Sequence, residues 1–146
     1  MARSIIGVIV GYVLMFLLNF AGFVTMYAVM GPDQAFVPGM YLASKRWIAV
    51  AFIMIFITAL ISGLVCAVIA QGGRATLVLA IVVIALGLML AIPGVMKARI
   101  NSTMIRNGDV PSMQAAQLAY WPVWCPFTFP FISAIGVFVG GKLKRS

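Results

Sequence analysis

The sequence predicts an all-α, polytopic membrane protein, with four transmembrane helices in an up-down bundle and the fourth kinked by proline. Three observations lead there. Hydrophobic residues make up 64% and charged residues 8% of the 146 positions, against the near-even apolar share and one-quarter charged share of soluble domains. The apolar residues fall into four runs long enough to cross a hydrocarbon core of roughly 30 Å at about 1.5 Å per residue. The ten basic side chains stand singly or in small groups at the edges of those runs, where headgroup anchors and orientation signals belong. Water would penalise such a surface, whereas a bilayer accepts it provided backbone groups bond internally.

The first run carries no charge between Ser4 and Pro32 and predicts a helix over residues 5–30, stopped by Gly31-Pro32-Asp33. Met1-Ala2-Arg3 resembles the basic start of a signal peptide, but the run behind it is too long for a signal core, so an uncleaved first helix is expected. Pro38-Gly39 adds a turn in the first connection. Ser44 is placed to cap a second helix over residues 45–70, with Trp47 among headgroups at its start. The connection Gln71-Gly72-Gly73-Arg74 is so short that helices two and three are expected to be antiparallel neighbours and each other's most secure contact. Helix three is expected over residues 75–92, weakened by Pro93-Gly94 and closed by Lys97 and Arg99. A polar stretch follows, in which Asp109-Val110-Pro111-Ser112 looks like a helix start, and residues 111–120 are expected to lie on the membrane surface. The last run, residues 120–141, carries Pro122, Pro126 and Pro130 at four-residue intervals. Interior prolines remove a backbone hydrogen bond and crowd the preceding turn, hence the expected bend.

Orientation is poorly encoded. Arg3, Arg74, Lys142, Lys144 and Arg145 fall on one side of a four-span topology, and Lys45, Arg46, Lys97, Arg99 and Arg106 on the other. The dense tail and the short second connection favour both termini in the cytoplasm of a cell with an inner membrane. The net charge of +8 forms no basic stripe on a folded surface, so nucleic acid is not an expected partner. The expected partners are the lipid bilayer, and another membrane protein or a second copy.

Chemistry is thinly represented. The chain has no histidine, and none of the four apolar cores holds an ionisable acid or base of the kind that marks proton paths. This argues against proton-coupled antiporters with a membrane-embedded acid and against histidine-ligated haem cytochromes. Neither a cofactor nor a metal is expected, and no residue is assigned a catalytic role. The only carboxylates, Asp33 and Asp109, sit one in each long connection. They could pair as an acid/base or metal site at the surface. The plainer reading makes them caps, turn residues or partners of Lys45, Arg46, Lys97 or Arg99.

Polar and small residues inside the runs point instead to packing. Asn19, deep in helix one, needs a hydrogen-bond partner on another helix. On helix two Thr58, Ser62 and Cys66 recur every four residues beside Ala59, Gly63 and Ala67, a face that lets backbones approach closely. Gly7 with Gly11, and Gly136 with Gly140, form similar pairs on helices one and four, suited either to intramolecular packing or to dimerisation. Cys66 and Cys125 read as small buried hydrophobes rather than a redox pair. The phenylalanines and methionines read as unclustered packing residues.

The stretch Ala35-Phe36-Val37-Pro38-Gly39-Met40-Tyr41 followed by Ser44 and Trp47, with Gly108-Asp109-Val110-Pro111 and Gly140-Gly141-Lys142-Leu143, resembles small uncharacterised four-helix membrane proteins of bacteria. The resemblance implies a bacterial membrane and assigns no activity or site residue. The expected function is that of a non-catalytic accessory or scaffold subunit packing through its small-residue seams. The alternative is a small oligomeric transporter or channel using Asn19 and the proline-broken helix.

Overall fold

A computed structural model of the chain describes residues 1–71, 73–107 and 111–144. Among the described residues it is helical throughout: α1 (Ala2–Ala35), α2 (Lys45–Ala70), α3 (Gly73–Asn101), α4 (Ser112–Leu118) and α5 (Cys125–Leu143). Among them, α1, α2, α3 and α5 are each long and apolar enough to cross a membrane. Their outward faces are dominated by Ile, Leu, Val, Phe and Met, including Ile9, Phe20, Ile53 and Ile81. The fold is that of a multi-pass membrane protein.

The ends of these helices follow local chemistry. Gly31 leaves the helical region at φ 72° and ψ 171°, so α1 breaks just past Met30. A last turn then carries Pro32 and Asp33 on to Ala35. Only glycine takes that dihedral pair without strain, and proline at the head of the new turn has no donor to lose. Ser44 caps α2 by accepting from the backbone N–H of Trp47 at 3.1 Å, and its hydroxyl donates to the carbonyl of Gln34. At the other end of α2, Gln71 takes the left-handed cap conformation, and Lys144 Nζ donates to the carbonyl oxygen of Ala67 at 2.9 Å. The Ala67 carbonyl also accepts from the Gln71 N–H at 3.1 Å, so the ammonium is a second donor at this helix end.

Helix α3 does not end near Ile92 but runs through Pro93 and Gly94 to Asn101. Tertiary bonds hold the extension. Lys97 Nζ donates to the carbonyl oxygen of Ala116 at 2.8 Å, and Asn101 Nδ2 to that of Leu118 at 3.0 Å. These two side chains, one turn apart on α3, satisfy carbonyls at the end of α4. Helix α4 itself is shorter than the expected 111–120, with Pro111 at its N-cap. Helix α5 begins at Cys125 rather than residue 120, so Pro122 precedes it, Pro126 lies in its first turn and Pro130 inside it. A first-turn proline gives up no helical bond, which is why regular helix starts there.

The neighbours differ from the expected hairpin. Helix α5, not α3, makes the most extensive contact with α2, and α3 packs chiefly on α5. Helix α2 is thus flanked by α1 and α5, and it touches α3 far less although the two are adjacent in sequence. The reason lies in the glycines of α5. A Cβ on Gly136 would stand 2.8 Å from the Cβ of Ala59, and one on Gly140 would run into the carbonyl of Leu60. A Cβ on Gly141 would stand 2.5 Å from Cγ2 of Thr76 on α3. Bare backbone on two faces lets α5 sit between α2 and α3.

The pairings keep an order along each helix. Gly7 lies by Cys66 and Ala70, Gly11 by Ser62, Asn19 by Thr58, and Phe23 by Trp47, so partners on α2 recede as α1 advances. Phe129 meets Phe52, Gly136 meets Ala59 and Lys144 meets Ala67, so α5 and α2 advance together. Pro126 lies over Gly94 and Pro130 over Gly87, so α5 and α3 run in opposing order.

Candidate functional site

The two longer connections meet at one end of the bundle and are stitched together. Residues 37–40 form a turn closed by the Met40 N–H on the Val37 carbonyl at 3.0 Å, with Gly39 at φ 75°. Proline followed by a positive-φ glycine is the residue pair that a type II turn requires. Phe36 then bridges to Ala43, and Leu42 to Tyr120. The N–H of Tyr120 donates to the Tyr41 carbonyl at 3.1 Å, and that of Ala43 to the Tyr120 carbonyl at 3.0 Å. Arg106 adds a further tie: its backbone donates to the Gly39 carbonyl at 3.0 Å, and its guanidinium lies 3.2 Å from Asp33 and 5.9 Å from the centre of the Phe36 ring.

Beneath this cover lies a cavity of about 480 Å³, half of whose lining residues are aromatic: Phe20, Phe23, Tyr27, Phe36, Trp47, Tyr120, Trp121 and Phe129. The phenylalanines are therefore not the unclustered set expected from sequence. An unbroken series of ring contacts runs Tyr41, Phe36, Tyr27, Trp47, Phe23, Trp121, Phe129, Phe52, Trp124, with centroids 4.9 to 6.3 Å apart. Most of the pairs are edge-to-face or tilted, the arrangement that the ring quadrupole favours. Large rings from α1, α2 and α5 line this end, and Ala115 and Ala116 of α4, with Ala119 just past it, close one side. Lys97 is the one charged side chain in the wall.

A second cavity of about 310 Å³ adjoins the first, between α1, α3 and α5. Gly94, Trp121 and Phe129 line both. The Trp121 and Phe129 rings, at 4.9 Å and 86°, stand edge to face between them. Pro126 and Pro130 form part of the deeper wall.

The residues singled out from sequence lie elsewhere. Asn19 Oδ1 is 3.0 Å from Thr58 Oγ1, which is also 3.0 Å from the carbonyl oxygen of Ile55. A hydroxyl has one proton, so both contacts are satisfied at once if the Asn19 amide is turned to donate to Thr58. Ser62 is fully buried, and its hydroxyl finds no partner among the described residues. Gly63 faces the backbone of Val137, and Cys66 lies against Gly7 and Gly11. Cys66 and Cys125 are buried in different parts of the core and both are free. Thus Gly7, Gly11, Gly63, Gly136 and Gly140 are occupied by the chain's own helices, and none lines either cavity. Asp33 pairs with Arg106 rather than with Lys45, Arg46, Lys97 or Arg99. Asp109, its proposed companion, lies outside the described residues. Among the described residues, no three side chains of metal-ligating type come together.

Sequence reasoning missed the cavity because its walls come from six separate segments. The available signal was the concentration of Phe36, Tyr41, Trp47, Tyr120, Trp121 and Trp124 around the two long connections. Trp47 is the one expected among headgroups; it is buried instead and lines the cavity. Comparison with protein-family models, curated proteins and solved structures finds no match. The site's own geometry therefore carries the functional reading.

Proposed function

We propose that the chain is a non-catalytic multi-pass component of a bacterial cytoplasmic membrane whose working part is the aromatic cavity, and that it holds a largely apolar small-molecule ligand there. The carrying observation is the 480 Å³ space walled by eight rings and covered by two interlocked connections. Pockets of roughly 300–1,000 Å³ with apolar walls and few polar groups are those that hold small ligands. Acid/base chemistry has little to work with, since the wall offers one ammonium and two phenols, from Lys97, Tyr27 and Tyr120. The small-residue rows are filled within the chain, so a partner subunit would have to dock on other faces.

In this reading the helices form an up-down bundle, supported by the order of contacts along each pair. Pro130 inside α5 bends it. The end bearing Arg3, Lys142 and Lys144 faces the cytoplasm. Reporter fusions after residue 40 and at the C-terminus test the orientation: cytoplasmic signal is expected from the C-terminal fusion alone. For the cavity, the test is energy transfer from tryptophan to neutral N-phenyl-1-naphthylamine, with the protein in phosphatidylcholine nanodiscs. Saturable transfer near one probe per chain is expected, lost when Ala116→Phe fills the space. Transfer that rises linearly with probe, identical in the variant, would mean partition into lipid and would sink the proposal.

A further inference from the structure

Resting on that reading of the cavity, we infer that the occupant is a single-chain amphiphile with an anionic head, such as a long-chain carboxylate. Its head sits at Lys97 and its tail passes the Trp121 and Phe129 rings into the deeper cavity between α1, α3 and α5. Four observations combine. The first is charge: ring faces alone would favour a cation, but the one ionised group in the wall is the Lys97 ammonium, which repels cations and attracts an anion. The second is donor capacity. Lys97 Nζ spends one hydrogen bond on the Ala116 carbonyl, and an ammonium has three donors to give.

The third observation is volume. A methylene fills nearly the space of a water, about 30 Å³ in the liquid, so 480 Å³ admits roughly sixteen heavy atoms. The adjoining 310 Å³ admits roughly ten more. That is the measure of one long chain and its head. The fourth is continuity. The two spaces share Gly94, Trp121 and Phe129, and the deeper one lies at the seam of α1 with α3, which touch far less than α1 does α2 or α3 does α5. Leu90, on this wall, is 66% exposed, so a chain can enter sideways from lipid.

The experiment uses the full chain in phosphatidylcholine nanodiscs, with Trp124→Phe so that fluorescence reports Trp47 and Trp121 alone. Three quenchers are compared: 9,10-dibromostearate, its methyl ester, and brominated phosphatidylglycerol built into the disc. Saturable quenching by the acid is expected at a concentration roughly tenfold or more below the ester, the margin of a charge-assisted hydrogen bond. Lys97→Met should abolish the preference, bringing acid and ester to one level. Leu90→Phe, which adds bulk at the mouth without adding a fluorophore to the signal, should weaken stearate while leaving decanoate as it was. Acid and ester binding alike would overturn the anionic head and leave the cavity reading intact. Brominated phosphatidylglycerol that quenches to saturation and resists displacement by stearate would make a phospholipid the occupant. An unchanged preference for stearate in Leu90→Phe would overturn the serial path. If neither single-chain quencher saturates while N-phenyl-1-naphthylamine does, the amphiphile is wrong; if none saturates, the cavity reading fails as well.

Discussion

The two ends of the bundle are built from equally apolar residues and packed by opposite means. Near the chain termini, glycine and alanine let backbones touch: Gly63 meets the Val137 main chain, Gly140 meets Leu60, and Gly7 would place a Cβ 3.0 Å from the Cys66 carbonyl oxygen. At the end carrying the long connections, Phe23, Trp47, Trp121 and Phe129 keep the helices apart and leave two cavities between them. Since lipid tails are as apolar as leucine, burial alone drives neither arrangement, and shape decides. Small side chains make a tight seam, which leaves no room for a ligand. Large flat rings meeting edge to face cannot fill space completely, so the room stays where the rings are.

The sharpest way to break this contrast is to thicken the seam. Gly63→Val and Gly140→Val put carbon into the backbones of Val137 and Leu60, which have no rotamer to move. Each should destabilise the protein by about 3 kcal/mol or more, the upper end of overpacking penalties. Thermal unfolding in mild detergent, followed by circular dichroism, measures the loss. Gly22→Ala is the internal control: its new methyl meets the Met54 thioether, a flexible chain that can swing away. A Gly22→Ala loss equal to that of Gly63→Val would show that these glycines matter for something other than close approach.

What the sequence made legible follows the same division. The four apolar runs were visible because bilayer thickness imposes a length on them, and α1, α2, α3 and α5 lie over those runs. Helix ends were visible where the signal is local, as at Gly31 and at the Ser44 cap. They were hidden where it is tertiary: nothing local to Pro93 reveals that Lys97 and Asn101 bond to α4 and carry α3 onward. Small residues announced that backbones approach, but not which ones. The loop of residues 71–74 suggested α3 as the main neighbour of α2, while glycines on two faces of α5 made that helix the neighbour instead. The cavity was illegible because Phe23, Trp47, Trp121 and Phe129 are scattered along the chain and meet only after folding.

The aromatic end should yield a smaller stability loss and a larger change in binding. Trp121→Ala removes a half-buried ring that already borders empty space, so about 2 kcal/mol is expected rather than the ~3–5 of an enclosed ring. The same substitution merges the two cavities and should admit bulkier neutral probes in the energy-transfer assay. A loss as great as that of Gly140→Val, with no change in probe size, would make the rings plain core. Thr58→Val comes next. It removes the contact with Asn19, an interhelical bond worth about 0.6 kcal/mol on average in membrane proteins. A double-mutant cycle with Asn19→Leu isolates that coupling, and a value near zero would mean that the Thr58 hydroxyl spends its proton on the Ile55 carbonyl, also 3.0 Å away, and that the Asn19 amide does not donate to it in return.

Asp33→Asn should have the smallest effect, although Asp33 is the one carboxylate among the described residues. Its side chain is 83% exposed while that of Arg106 is 7% exposed, so the ion pair has one foot in solvent. Exposed pairs contribute at most about 1 kcal/mol and fade with salt. Arg106 is also held by its backbone bond to Gly39 and by the face of Phe36, so the cover over the cavity should survive neutralisation of Asp33. Unfolding and probe binding are therefore expected to match the parent protein at moderate salt, with a slight loss of stability only at low ionic strength. If Asp33→Asn instead abolishes probe binding without unfolding the protein, the cover is latched by this single pair. The aromatic end would then owe its cavity to electrostatics at its rim rather than to the shape of its rings.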